Sequence, residues 1–111
     1  MAKRKNRYSE KRKPTYLLKE IRELIKKNKI ESPNISVSES ANNIDFSITE
    51  GYQEILNLEN SNFYESATEP YNRKVWQDVY KKVIKGIPIY MKFKIFRGNF
   101  LLTSFKRDQS Q

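Results

Sequence analysis

Apolar positions follow a helical rhythm early in the chain and a strand rhythm late. Leu17, Leu18, Ile21, Leu24 and Ile25 recur every three to four residues with Lys and Glu between them, which predicts an amphipathic helix over roughly 15–29. Pro14 suits its first turn, and Glu23 stands one helical turn before Lys27, a favourable pair on one face. Residues 31–46 are rich in Ser, Asn and Glu, where Ile35 and Val37 alternate with polar neighbours as in a short edge strand. Ser47 and Glu50 have the spacing of a capping box. Ile48, Tyr52, Ile55 and Leu56 supply the apolar stripe of a second helix over roughly 48–58. Asn60 and Ser61 end it, or cap a further short turn containing Phe63 and Tyr64.

The last third changes period. Residues 75–83 are rich in β-branched and aromatic side chains. Ile89, Met91, Phe93 and Ile95 alternate with Tyr90, Lys92, Lys94 and Phe96, and a second apolar run spans 100–105. Arg97-Gly98-Asn99 reads as a three-residue hairpin loop, with Gly available for positive φ. Helices followed by hairpin strands predict an α+β domain, its N-terminal helices packed on a small antiparallel β-sheet.

That loop would put Ile95 by Leu101, Phe93 by Thr103 and Met91 by Phe105 on the core face. Lys94 by Leu102, Lys92 by Ser104 and Tyr90 by Lys106 would share the other face, with Tyr90 and Lys106 close enough to act on one group. A loop at 84–87 would pair Val83 with Pro88 and bring Gln77 opposite Lys94, with Trp76 and Tyr80 on the core side. One residue more or less in either loop reverses the faces. A polar outer face is ordinary for a half-buried sheet, and Lys is a common way to make one. The Tyr and Gln among these lysines bring nucleic-acid binding level with that plainer reading.

Composition narrows the chemistry. A chain of 111 residues has room for one domain. Residues 1–13 are too polar and charged to pack and read as a flexible basic arm, leaving 14–111 as the folded domain. There is no Cys and no His, which removes disulfides, thiol catalysis and zinc sites built on those ligands. Acid–base work then falls to Tyr, Lys, Arg or carboxylates. No apolar run reaches membrane-spanning length and no signal peptide follows the basic start, so a cytoplasmic protein without membrane contact is expected. The net charge of +9 is segregated: 31–70 holds eight acids and no Lys or Arg, and the flanking segments are basic. Such blocks predict a basic face that attracts polyanions, although a solvated surface accounts for any single Lys.

Two stretches carry a resemblance. Ser61-Asn62-Phe63-Tyr64-Glu65-Ser66 and Val75-Trp76-Gln77-Asp78-Val79-Tyr80 resemble SDFYKS and IWQDVY of the MqsR toxins, at matching separation. The segments Tyr90-Met91-Lys92 and Ser104-Phe105-Lys106 resemble the family's YLK…SFK ending, with one extra residue in the turn between them. Lys11-Arg12-Lys13-Pro14 and the helix after it resemble the family's start, so the similarity covers nearly all of 11–107.

The resemblance implies a RelE-like fold and a toxin that cuts mRNA by attack of a ribose 2′-hydroxyl on its own 3′-phosphate, with no metal or other cofactor. It also implies a cognate, DNA-binding antitoxin of the MqsA type as partner. Such a site needs a base, cations for the phosphorane and an acid for the leaving oxygen. Position by position, the family's functional Gln falls on Gln77, its Tyr on Tyr90 and its C-terminal Lys on Lys106. The functional Lys after F-Y falls on Glu65, and the Met two positions on becomes Ala67. Glu65 is then a general base, a mark of altered or weakened activity, or a solvated loop carboxylate. Lys92, Lys94, Arg73 and Arg97 remain to hold RNA phosphates. Two rivals stay open: a catalytically weak or inactive RNA-binding protein of the same fold, and an interaction protein whose basic sheet only docks an acidic antitoxin.

Overall fold

The structure, a computed structural model, describes residues 9–109. Among them the order is β1 (Glu10–Lys11), α1 (Leu18–Lys26), α2 (Ile35–Asn42), α3 (Ile48–Leu56), a 3-10 turn (Asn60–Asn62), β2 (Phe63–Glu69), β3 (Asn72–Ile84), β4 (Ile87–Phe96) and β5 (Asn99–Arg107). The strands form one antiparallel sheet in sequence order, and the three helices cover one face of it. The α+β architecture expected from the pattern is the one observed.

The first helix is shorter than its apolar stripe suggested. Thr15 and Tyr16 donate their backbone N–H groups to the buried Asp78 carboxylate at 2.9–3.0 Å, which keeps these residues out of the helix, and it starts at Leu18. Leu18, Ile21 and Ile25 then turn inward, and Asn28 at φ 58° closes the helix end. Ile35 and Val37 belong to a helix, not to the edge strand that their alternation suggested. The Asn34 side chain caps it by accepting from Ser36 N, and Val37 and Ala41, one turn apart, are buried while Ile35 faces out. Ser47 and Glu50 form the expected capping box on α3.

The sheet corrects two further expectations. Phe63 and Tyr64 begin β2 and are not part of a turn. Of the stretch expected as an arm, residues 1–8 lie outside the described residues, whereas Glu10 and Lys11 pair with Ala67 and Ser66 as an edge strand. Two-residue turns, Lys85-Gly86 and Arg97-Gly98, join β3 to β4 and β4 to β5, all four residues having positive φ. The second turn is one residue shorter than expected, so Ile95 faces Phe100, Lys94 faces Leu101 and Phe93 faces Leu102. A bulge then sets both Thr103 and Ser104 of β5 against Lys92 and restores the expected pairs Lys92–Ser104, Met91–Phe105 and Tyr90–Lys106. Phe100 and Leu102 therefore join Phe93, Met91 and Phe105 in the core, in place of Leu101 and Thr103.

Candidate functional site

The face away from the helices carries a grid of polar side chains. Lys81, Tyr90 and Lys106 lie in one row across β3, β4 and β5, and Glu65, Val79, Lys92 and Ser104 in the next, from β2 to β5. A bulge in β2 aligns the second row: Phe63 faces Tyr80 and Glu65 faces Val79, leaving Tyr64 as the extra residue between them. Phe63 thus packs its ring on Tyr80 in the core, while Tyr64 is exposed with the Lys81 ammonium 3.7 Å above its ring.

These residues surround a cleft of about 180 Å³ whose lining includes Glu10, Glu65, Glu69, Gln77, Tyr90 and Lys92. Three of the four expected catalytic residues, Glu65, Gln77 and Tyr90, therefore meet in one place. Lys106 stands beside them, its ammonium 5.2 Å from the Tyr90 ring centre. The cleft shifts their proton affinities. Burial, then the Glu10 charge, pushes the Glu65 carboxyl up, against the pull of Arg12, Lys81 and Lys92. Burial, then the Glu65 charge, raises the Tyr90 hydroxyl, which stays protonated at neutral pH. Burial and the Lys106 ammonium lower Lys92, opposed by Glu69 and Glu65. The arrangement offers a carboxylate of raised basicity, a neutral hydroxyl donor and clustered ammonium groups around one concave patch.

The expected phosphate holders divide. Lys92 lines the cleft. Lys94 is ion-paired to Glu69 at 2.6 Å, so much of its charge is compensated. Arg73 is exposed near the start of β3, and Arg97 is exposed in the β4–β5 turn, its guanidinium over the Phe96 ring. Neither arginine lines the cleft. Gln77 does share its face with Lys94, through Glu69: Gln77 Nε2 donates to Glu69 Oε2 at 3.0 Å.

Glu69, Lys81, Thr103 and Tyr64 are absent from the site residues that the sequence singled out. Glu65, Ala67 and Glu69 follow strand alternation, a signal that was present but was hidden by reading 63–64 as a turn. Lys81 reaches Asp108 at 3.3 Å, and Thr103 reaches Gln77 because of the β5 bulge. No local pattern announces either contact.

The family model for the motility quorum-sensing regulator, toxin of MqsA, matches residues 13–107. The chain belongs to that family. It is a toxin of a toxin–antitoxin pair, and an antitoxin is its partner. The match takes in every element of the motility quorum-sensing regulator domain described above except β1, and so includes the whole of the cleft but Glu10. The chain matches no curated protein in sequence. Among the described residues, no helix is long and apolar enough to cross a membrane.

Proposed function

We propose that this toxin is an endoribonuclease that cuts mRNA in the cytoplasm and so stops translation, held in check by an MqsA-like antitoxin that also binds DNA. The observation that carries the reading is the meeting of Glu65, Tyr90 and Lys92 in one cleft, with Lys106 paired to Tyr90 across the strands. In-line cleavage needs no metal when a base, a proton donor and cations converge. Glu65 accepts the 2′-hydroxyl proton as the 2′-oxygen bonds to phosphorus. Lys106 and Lys92 hold the charge that develops on the phosphorane. The bond to the 5′-oxygen then breaks, and Tyr90 orients the phosphate or supplies the proton that this oxygen takes up. Gln77 positions the RNA. Arg73 and Arg97 contact phosphates farther along the strand.

Purified protein should cut single-stranded RNA in the presence of EDTA and leave a 2′,3′-cyclic phosphate and a 5′-hydroxyl, read by mass spectrometry of the products. Cleavage that requires Mg²⁺, or that leaves 3′-hydroxyl ends, overturns this chemistry. A second reading, a weakened enzyme that mainly binds RNA, is favoured by the three carboxylates Glu10, Glu65 and Glu69 in the cleft lining, which repel phosphate. Glu65→Lys decides between them: it raises the cleavage rate of a weakened enzyme and abolishes it where Glu65 is the base.

A further inference from the structure

A hydrogen-bonded chain runs along the cleft through Glu69 and Gln77, and the cleavage chemistry above uses only its Gln77. Glu69 Oε2 accepts from Lys94 Nζ at 2.6 Å and from Gln77 Nε2 at 3.0 Å. The other end of the same amide, Gln77 Oε1, accepts from Thr103 Oγ1. The Thr103 hydroxyl also lies 3.1 Å from the Lys92 carbonyl oxygen. Four strands contribute one residue each, Glu69 from β2, Gln77 from β3, Lys94 from β4 and Thr103 from β5.

A glutamine amide fits such a slot either way round, because its two ends have nearly the same shape. Its partners decide the orientation. A hydroxyl both donates and accepts, so Thr103 tolerates either end. It can donate to Gln77 Oε1, or donate to the Lys92 carbonyl and accept from Gln77. An ionised carboxylate only accepts, so Glu69 demands the NH₂ end. Lys94, whose side chain is 14% exposed, donates a charge-assisted hydrogen bond to the same Glu69 oxygen and holds that carboxylate in place beside the cleft.

We propose that Glu69, held by Lys94, is a positioning residue that locks the Gln77 amide in one orientation and so sets which base the cleft accepts. The inference rests on reading this face as an RNA site. In the locked state one N–H of Nε2 and one lone pair of Oε1 remain for the substrate. They match a base edge that presents an acceptor beside a donor in the same order. Turning the amide exchanges donor and acceptor, and the same base then meets donor against donor, which a polar site rejects strongly. Glu69 therefore acts on selectivity more than on the chemical step.

Glu69→Gln keeps the shape and releases the lock, because an amide at 69 both donates and accepts. Thr103→Val removes the indifferent partner and leaves the lock in place. The first readout needs no activity: the side-chain amide pair of Gln77 in a ¹⁵N-correlated NMR spectrum, assigned by its loss in Gln77→Leu. The pair is expected to move in Glu69→Gln and in Lys94→Met. A pair that stays in place in Glu69→Gln overturns the lock. The second readout is the spectrum of cut sites on a random-sequence RNA at single turnover, with circular dichroism melts as the folding control. Glu69→Gln should lower the preference for the favoured base on the order of tenfold, mainly through KM, and Thr103→Val should keep the wild-type preference. An unchanged preference in a folded Glu69→Gln protein overturns the selectivity role. If the wild-type protein cuts no RNA, the nuclease reading and the selectivity role fall together, and the NMR pair still decides whether Glu69 sets the amide.

Discussion

One oxygen atom separates Tyr90 from phenylalanine, and the proposed proton transfer depends on it. Tyr90→Phe keeps the ring that lies under the Lys106 ammonium, so the fold and the cation–π contact persist. Single-turnover cleavage should fall by about 10²–10⁴, the usual loss for one positioned acid–base group, with an unchanged melt. Glu65 gives a prediction in pH. Burial and Glu10 raise its carboxyl above the ordinary 4.5. A folded state that binds this proton more tightly than the unfolded chain is stabilised at low pH. That contribution is lost as pH rises through the folded value. Glu65→Gln cannot ionise, so it should melt above the wild type near neutral pH, and the gain should vanish as pH falls below the ordinary carboxylate range. Melts at both ends of that window check the sign. The same substitution should remove the acid limb of the cleavage rate if Glu65 is the base. The common face of Gln77, Tyr90 and Lys106, which the resemblance picks out, was legible because a strand's alternation places side chains without reference to the rest of the fold. Glu69 was not, because its importance lies in two partners on two other strands, Gln77 and Lys94.

Hairpins and bulges decide the site at the level of elements. The β4–β5 turn puts Arg97 at φ 55° and Gly98 at φ 77°, and a Cβ added at Gly98 would meet nothing within 4 Å. Gly98→Ala should therefore cost only the left-handed backbone penalty, about 1–2 kcal/mol by denaturant unfolding, with no loss of side-chain packing. A cost near zero would mean that the turn re-forms with another geometry and shifts the register of β5. The hairpins themselves were legible, since alternation and the Lys-Gly and Arg-Gly steps are local signals. The β5 bulge was not. A strand gains an extra residue where core packing demands it: Leu102 and Phe105 are both buried, and an odd number of steps between two inward residues requires a bulge. The α2 helix was missed for a related reason. Ile35 and Val37 alternate as in a strand, but the Asn34 cap and the Val37–Ala41 pair prevail once β5 offers a surface to pack on.

Across the whole molecule, charge follows the chain in blocks, and the fold redistributes them. The acidic block 31–70 supplies α2, α3 and also β2, so two of its carboxylates, Glu65 and Glu69, reach the open sheet face and line the cleft with Glu10 of β1. The basic face expected from composition is thus a mixed one, in which Lys94 is paired to Glu69 and Lys81 to Asp108. If the proposed function holds, long-range attraction to RNA falls more heavily on the ends of the chain. Deleting residues 1–8, which carry Lys3, Arg4, Lys5 and Arg7, should leave β1 intact and flatten the dependence of log K on log salt by up to about 0.7 per lost cation. Binding titrations across a salt series read the slope, and an unchanged slope would remove this segment from the RNA contact.

The amino-acid order by itself determined the capping box at Ser47, the strand period of the last third, the two hairpins and the sharing of one sheet face by Gln77, Tyr90 and Lys106. Each is a matter of neighbours a few residues apart, where backbone geometry leaves little choice. Tertiary structure decided the late start of α1, which the Asp78 carboxylate imposes from 62–63 positions away. It also decided the pairing of β1 with β2, the bulges that set Glu65 and Thr103 on the open face, and the chain from Lys94 through Glu69 to Gln77. These depend on where distant side chains come to rest once the core has closed, and no local spacing encodes that.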